Sequence, residues 1–197
     1  MKSFQHARFA ATYPDMLADA RYGPAAKFFL DDLYGPHDFT ERDGQFARIV
    51  PGLVRVFSAD IVQTVAALAE LHAISEELDL EMALRLLSPA LDAQAYAAAW
   101  RALGRPADRE RQIRLMLEVG QALDGFTRKP LLRHSLRLMR GPALATGLGA
   151  LQRFLETGFD TFRAMRGAKP LLDTIAQRER GLAEHLFSSN DAGTGSA

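Results

Sequence analysis

His72, Ser75, Glu76 and Asp79 follow one another on successive turns of a single helical stretch. His72 and Glu76 are spaced i to i+4, which puts an imidazole and a carboxylate on one helix face. Such a pair can be half of a ligand or metal site, or an acid–base couple. His72 can also be an axial ligand to haem or a related tetrapyrrole in a globin-like arrangement of helices. Each of these needs partners from elsewhere. A four-helix di-iron centre takes Glu-x-x-His on two helices. Here Glu70 lies two residues before His72 and Glu184 one before His185. The other histidines, His6, His37, His134 and His185, give no second spacing. The plainer reading is a partly exposed polar face with an ion pair, and the sequence specifies no metal and no cofactor.

Charge is segregated along the chain. Seven acids and one arginine lie between Ser58 and Asp92, and nine basic residues and four acids between Arg105 and Arg140. Arg133, Arg137 and Arg140 recur at i, i+4 and i+7 on one helix face, just after Arg128 and Lys129. Guanidinium groups in that pattern suit a phosphate or an acidic partner. The alternatives are that acidic and basic helices pair within the molecule, or that the charges are solvated. Asp31, Asp32, Asp38, Glu41 and Asp43 cluster in sequence, but their spacing follows no calcium-loop order. Helix capping and surface solvation account for them.

The familiar catalytic patterns are missing. There is no Gly-x-Ser-x-Gly elbow, no phosphate loop, no dinucleotide fingerprint and no His-Glu-x-x-His. Gly147-x-Gly149 sits in a helical pattern with no strand before it, so it is not a nucleotide loop. The chain has no cysteine, which removes disulfides, thiolate nucleophiles and cysteine-held metals. The expectation leans away from an enzyme. Net charge is zero, so nucleic acid is not an expected partner. No run approaches the ~20 apolar residues of a membrane span. No membrane is expected as a partner, and the default location is cytoplasmic.

These residues must be carried by helices. Alanine, leucine and arginine abound, and no stretch alternates apolar and polar residues over strand length. Residues 3–21 form one or two short helices broken near Pro14. Pro24 starts a helix through AAKFFLDDLY that Gly35-Pro36 stops. Thr40 to Asp43 resembles a capping box for a helix carrying Phe46, Ile49 and Val50, which Pro51 kinks or restarts before Leu53, Val54 and Phe57. Ser58 to about Leu87, stopped by Ser88-Pro89, is the longest helix, with the stripe Ile61, Val65, Leu68, Leu71, Ile74, Leu78, Met82. Asp92 caps a helix over Ala93 to Leu103, closed by Gly104. Asp108 caps the next, with a buried edge of Ile113, Met116, Leu117, Gly120 and Leu123, ended by Gly125. Pro130 opens a short helix to about Arg140, and Gly141-Pro142 breaks it.

A long helix then runs from Ala143 to Arg166. Leu144, Leu148, Leu151, Leu155, Phe162 and Met165 line one face, and Ala143, Gly147, Ala150 and Gly158 another. Each glycine costs ~1 kcal/mol against alanine. Close approach of a helix or bulky ring, or a flat ligand on the glycine wall, would offset that. This helix is expected to be central and mostly buried. Gly167 ends it, and Pro170 begins a last helix to about Phe187.

FFLDDLYGPHDFTERDGQFARIVP resembles the signature of a family of all-helical bacterial proteins without an assigned activity, with FFLxDLYGPxDF followed by RD as its motif. LHAISEELD near residue 75, and LRLMRGPALATGLGALQRFLETGFDTFRAM from Leu136 to Met165, fit the same family. The resemblance reaches about residue 187. It implies an all-helical fold and passes on no catalytic residues.

The expectation is an all-α protein: a compact bundle of about seven to nine helices in one domain over residues 1–187, with residues 188–197 a disordered tail. Its function would be non-enzymatic, a helical surface engaging a protein partner or a second copy of itself. The alternative is a small-molecule or cofactor carrier, with a pocket between the aromatics of residues 23–57 and the Ala143 to Arg166 helix.

Overall fold

Helices α5 (Ala59–Arg85) and α7 (Pro106–Thr127) pack along each other as the spine of the fold, and several of the other helices pack directly on them. In this computed structural model the described residues are 2–33, 40–56, 58–86 and 92–188. Every regular element among them is a helix, joined by short turns, with no strand. Before the spine come α1 (Lys2–Thr12), α2 (Pro14–Ala18), α3 (Gly23–Phe28) with its π-helical extension Phe29–Leu33, and α4 (Thr40–Val56). Between the spine helices lies α6 (Ala93–Leu103). After them come α8 (Pro130–Leu138), α9 (Arg140–Ala145), α10 (Gly149–Ala164) and α11 (Lys169–Ser188).

The α5 stripe buries where the helical period places it. Leu71, Ile74, Leu78 and Met82 are buried, while Ile61, Val65 and Leu68 are half-buried. Leu78 and Met82 are wholly covered, each worth ~1.5–3 kcal/mol of transfer from water. They pack with Tyr96, Trp100 and Leu103 of α6, Leu115 of α7 and Leu186 of α11. Rings line this core: Phe4 lies 4.7 Å from Tyr96, and Trp100 5.8 Å from both Tyr96 and Phe187. A second core joins Tyr13, Ala25 and Phe29 to Phe162, Met165, Leu171, Leu172 and Ile175. Met116 of α7 touches both.

Local signals set several boundaries as expected. Asp92 accepts a hydrogen bond from the Ala95 N–H at 2.8 Å, and Gly104 closes α6 at φ +62°. Pro14, Pro24 and Pro130 each stand in a first turn. Elsewhere the structure differs. Helix α7 begins at Pro106 with Arg105 before it, so Asp108 lies in the first turn rather than at the cap, and the helix runs past Gly125 to Thr127. Helix α4 continues through Pro51. The expected Ala143 to Arg166 helix is two helices, because Gly147 takes φ +70°. Leu148 N–H bonds the Ala143 carbonyl at 2.7 Å and Gly147 N–H that of Leu144 at 3.2 Å, a Schellman close to α9. Short pieces such as α2, α3 and α9 bring the number of helices above the expected seven to nine. The break at Gly35-Pro36, the loop residues His37 and Asp38, the stop at Ser88-Pro89 and the tail after Ser188 lie outside the described residues.

Helix α10 draws its end caps from elsewhere. Leu148, its N-cap residue, offers no side-chain bond. Buried Gln45 of α4 instead accepts the Leu151 N–H at 2.9 Å, 106 positions away. At the other end Arg21 donates to the carbonyls of Met165 and Arg166.

Candidate functional site

The arginine face lies where α8 crosses α10. Arg133 pairs with Asp160 at 2.8 Å, and Arg140 grips Glu156 through two nitrogens. The Arg140 bond holds the Glu156 carboxyl below its ordinary range, and Arg140 is raised in turn. Gln152, buried beneath, donates to the Leu136 carbonyl at 2.6 Å and to Glu156 at 2.9 Å. Arg137 is exposed beside them, within Coulombic reach of Glu156. Arg133 of α8 and Arg140 at the start of α9 are therefore paired with α10 carboxylates, while Arg105, Arg111 and Lys129 pair with acids of the Ser58 to Asp92 stretch.

The side of α8 turned away from α10 is bare, with two leucines on it and the exposed polar residues His134 and Ser135 between them. Leu131 and Leu138 are seven residues apart, two turns of helix, and share that side. Leu131 is 80% exposed, Leu138 66%, Leu144 59% and Met139 52%. No residue of α8 is buried. Leu144 was expected on a buried face; α9 turns away at Gly147 and leaves it outside, where its Cδ2 lies over Gly149.

His72 and Glu76 share the outer face of α5, both exposed, opposite buried Leu71, Ile74 and Leu78. Among the described residues no group of three His, Cys, Asp or Glu is placed to hold a metal ion. His6 pairs with Asp31 at 3.2 Å.

Of the aromatics of residues 23–57, Phe28 and Phe29 are packed directly against α10, while Tyr34, Phe39 and Phe57 lie outside the described residues. The Phe28 ring covers Gly158, so near that a Cβ there would meet Cζ at 2.8 Å, and it stacks on Phe154 at 5.4 Å. Phe29 meets Phe162 at 5.6 Å. The ring offsets the glycine. A hollow of about 250 Å³ remains beside it, lined by Asp32, Glu41, Arg42, Arg153, Phe154 and Thr157. Arg42 is already engaged there by Asp43 at 2.9 Å, the Asp32 carbonyl and the Phe154 face at 4.7 Å.

Beneath α1 the core is polar. Half-buried Arg8 pairs with Glu179 at 3.2 Å, and Tyr13 donates to the same carboxylate at 2.8 Å. Burial opposes the Arg8 charge, but Glu179 outweighs it and the pKa rises. Burial pushes the Tyr13 and Tyr96 hydroxyls up. Arg109 is buried with its guanidinium 3.9 Å from the centre of the Trp100 ring. Its other partners are neutral, Gln112 Oε1 at 3.1 Å and Met82 Sδ at 2.9 Å, and burial lowers its pKa. Trp100 Nε1 and Arg8 Nε are covered without acceptors.

A family model for a domain of unknown function, DUF8198, matches residues 1–193. The chain belongs to the DUF8198 family. No curated protein and no solved structure matches it. The family match covers all eleven α-helices of the described residues and is consistent with the expected membership of a family without an assigned activity.

Sequence reasoning did not single out Arg109, Trp100, Gln45 or Gln152. One signal was available for Arg109. It precedes Ile113 by four residues and so stands on the buried stripe of α7, where a charged residue is out of place. Neither glutamine has such a mark, because each is buried only through helix ends that the chain brings back from a distance.

Proposed function

We propose that this DUF8198 chain is a cytoplasmic, non-enzymatic interaction protein that pairs with a second copy of itself through the outer face of α8 and α9. The observation that carries this is the exposure of Leu131, Leu138, Met139 and Leu144 on adjoining short helices. With side chains of ordinary size, their exposure amounts to roughly 450 Å² in all, within the size range of the largest apolar patch of an ordinary monomer, with His134 and Ser135 among them. A standard interface takes ~800 Å² from each partner, a little over half of it apolar, which is about this amount.

The charges favour a copy over an acidic partner. A twofold interface sets a patch against itself, so a patch of one sign would repel its mate. Here Arg133 and Arg140 at the edge are neutralised by Asp160 and Glu156, which leaves the exposed Arg137 as a single positive charge there, and the whole chain has no net charge. Sedimentation velocity and native mass spectrometry test the proposal. A dimer is expected, and Leu131→Asp with Leu138→Asp should give a monomer with an unchanged helical circular dichroism spectrum. A wild-type chain still monomeric at ~100 µM, far above the Kd range of standard interfaces, would overturn it.

A further inference from the structure

The two spine helices part at one end. Between the start of α5 and the end of α7 they leave a cleft of about 400 Å³, within the lower range of small-molecule sites. Ala67, Val119, Ala122 and Phe126 give it an apolar floor, and Gln63, Thr64 and Glu118 a polar wall. At the mouth Lys129 bridges the two helices. Its ammonium lies 2.6 Å from the Asp60 carboxylate and 5.3 Å from the centre of the Phe126 ring. Ser58 donates to Asp60 as well. A carboxylate beside an aromatic face is a subsite for an ammonium group, and here the protein's own lysine fills it.

We propose that this cleft binds a small organic cation, a primary ammonium on an apolar body, and that Lys129 is the placeholder in the unliganded protein. The charges of the lining choose the sign of the ligand. Asp60 and Glu118 supply two carboxylates, and Lys129, the one cation among the described lining residues, is spent on Asp60. Arg114 reaches Glu118 only at 3.8 Å, with both side chains more than half exposed. A carboxylate or phosphate would meet repulsion from the wall, while an ammonium would exchange with that of Lys129. The apolar body then lies on Val119 and Ala122, over Gly125, where the structure leaves open space. Lys129 and Asp60 are each about half exposed, so the exchange needs no rearrangement of the core.

The test titrates 15N-labelled protein with 3-phenylpropylammonium and, separately, with 3-phenylpropanoate, which carries the opposite charge on a similar body. The ammonium should shift the amides of Thr64, Ala67, Gly125 and Phe126, and the carboxylate should not. Lys129→Ala vacates the subsite. If the lysine fills it ~90% of the time, apparent affinity for the ammonium rises about tenfold in that variant. Asp60→Asn removes the counter-charge and should abolish binding in both backgrounds, with the remainder of the spectrum unchanged as proof of folding. Equal shifts from both compounds, or no shifts from the ammonium at millimolar concentration in Lys129→Ala, would overturn the proposal.

Discussion

Two glycine-to-alanine changes, at Gly158 in α10 and at Gly181 in α11, separate packing from propensity. Both glycines sit inside helices, where alanine is favoured by ~1 kcal/mol. Gly181 is exposed, and a Cβ there would meet nothing within 4 Å. Gly181→Ala should therefore stabilise the protein by nearly the full ~1 kcal/mol. At Gly158 the same methyl would lie 2.8 Å from Phe28 Cζ and 3.3 Å from Cε1. The ring has little room to retreat: Phe28 is 5% exposed, stacked on Phe154 and edge-on to Phe29. Overpacking of this kind costs ~1–3 kcal/mol. After the propensity gain, Gly158→Ala should be between neutral and ~2 kcal/mol destabilised. The two variants should then differ by ~1–3 kcal/mol, which in a chain of this size is about 2–4 °C of melting temperature per kcal/mol. Urea unfolding followed at 222 nm reads the difference. A cycle with Phe28→Leu should recover ~1 kcal/mol or more as coupling between the two sites. If the two alanine variants prove equally stable, the ring does not hold α3 against α10 as described.

Two further outcomes are expected. Arg109→Met, which replaces a buried cation that hydrogen-bonds only neutral groups and feels Asp79 from a distance by an apolar chain of similar length, should leave stability within ~1 kcal/mol of wild type or raise it, whereas Arg109→Ala, which leaves a void beneath Trp100, should cost ~2–5 kcal/mol in the same urea assay. In acid, Asp15 and Asp60 are held at about 2 by hydrogen bonds from Arg178 and Lys129, and Glu110 and Glu156 are lowered by Arg180 and Arg140. Folded values below the ordinary ~4 stabilise the protein fully above pH ~4, and that stability is lost as pH falls through about 2, so urea midpoints should drop between about pH 4 and pH 2, less steeply in Asp15→Asn.

Helix α6 was legible from end to end because both of its boundaries are written locally, in the Asp92 side chain and the left-handed Gly104. The α5 stripe was legible because a core face needs only the helical period. The break between α9 and α10 was not. Gly147 in a leucine-rich run reads as helix, and what holds it in a turn includes Arg48, which bonds its carbonyl at 3.1 Å from 99 positions away. The arginines of α8 were legible as a face, but their partners on α10 follow only from how the two helices cross. Four apolar side chains between Leu131 and Leu144 look like core in the sequence. They are left outside because each of the two short helices already presents its inner side to α10.

The borrowed caps of α10 give the chain a direction in time. A lone segment starting at Gly149 would have neither the Gln45 acceptor at its head nor the Arg21 donors at its foot, and a short helix without such closure is marginal in water. A ribosome makes the chain from its N-terminus, so Gln45 and Arg21 are made 106 and 144 positions ahead of the groups they cap, before the helix they complete has emerged. The late segment thus meets a finished template. A circular permutant opened between Val56 and Ser58, with Arg21 and Gln45 translated last, would have to hold α10 uncapped until synthesis ended.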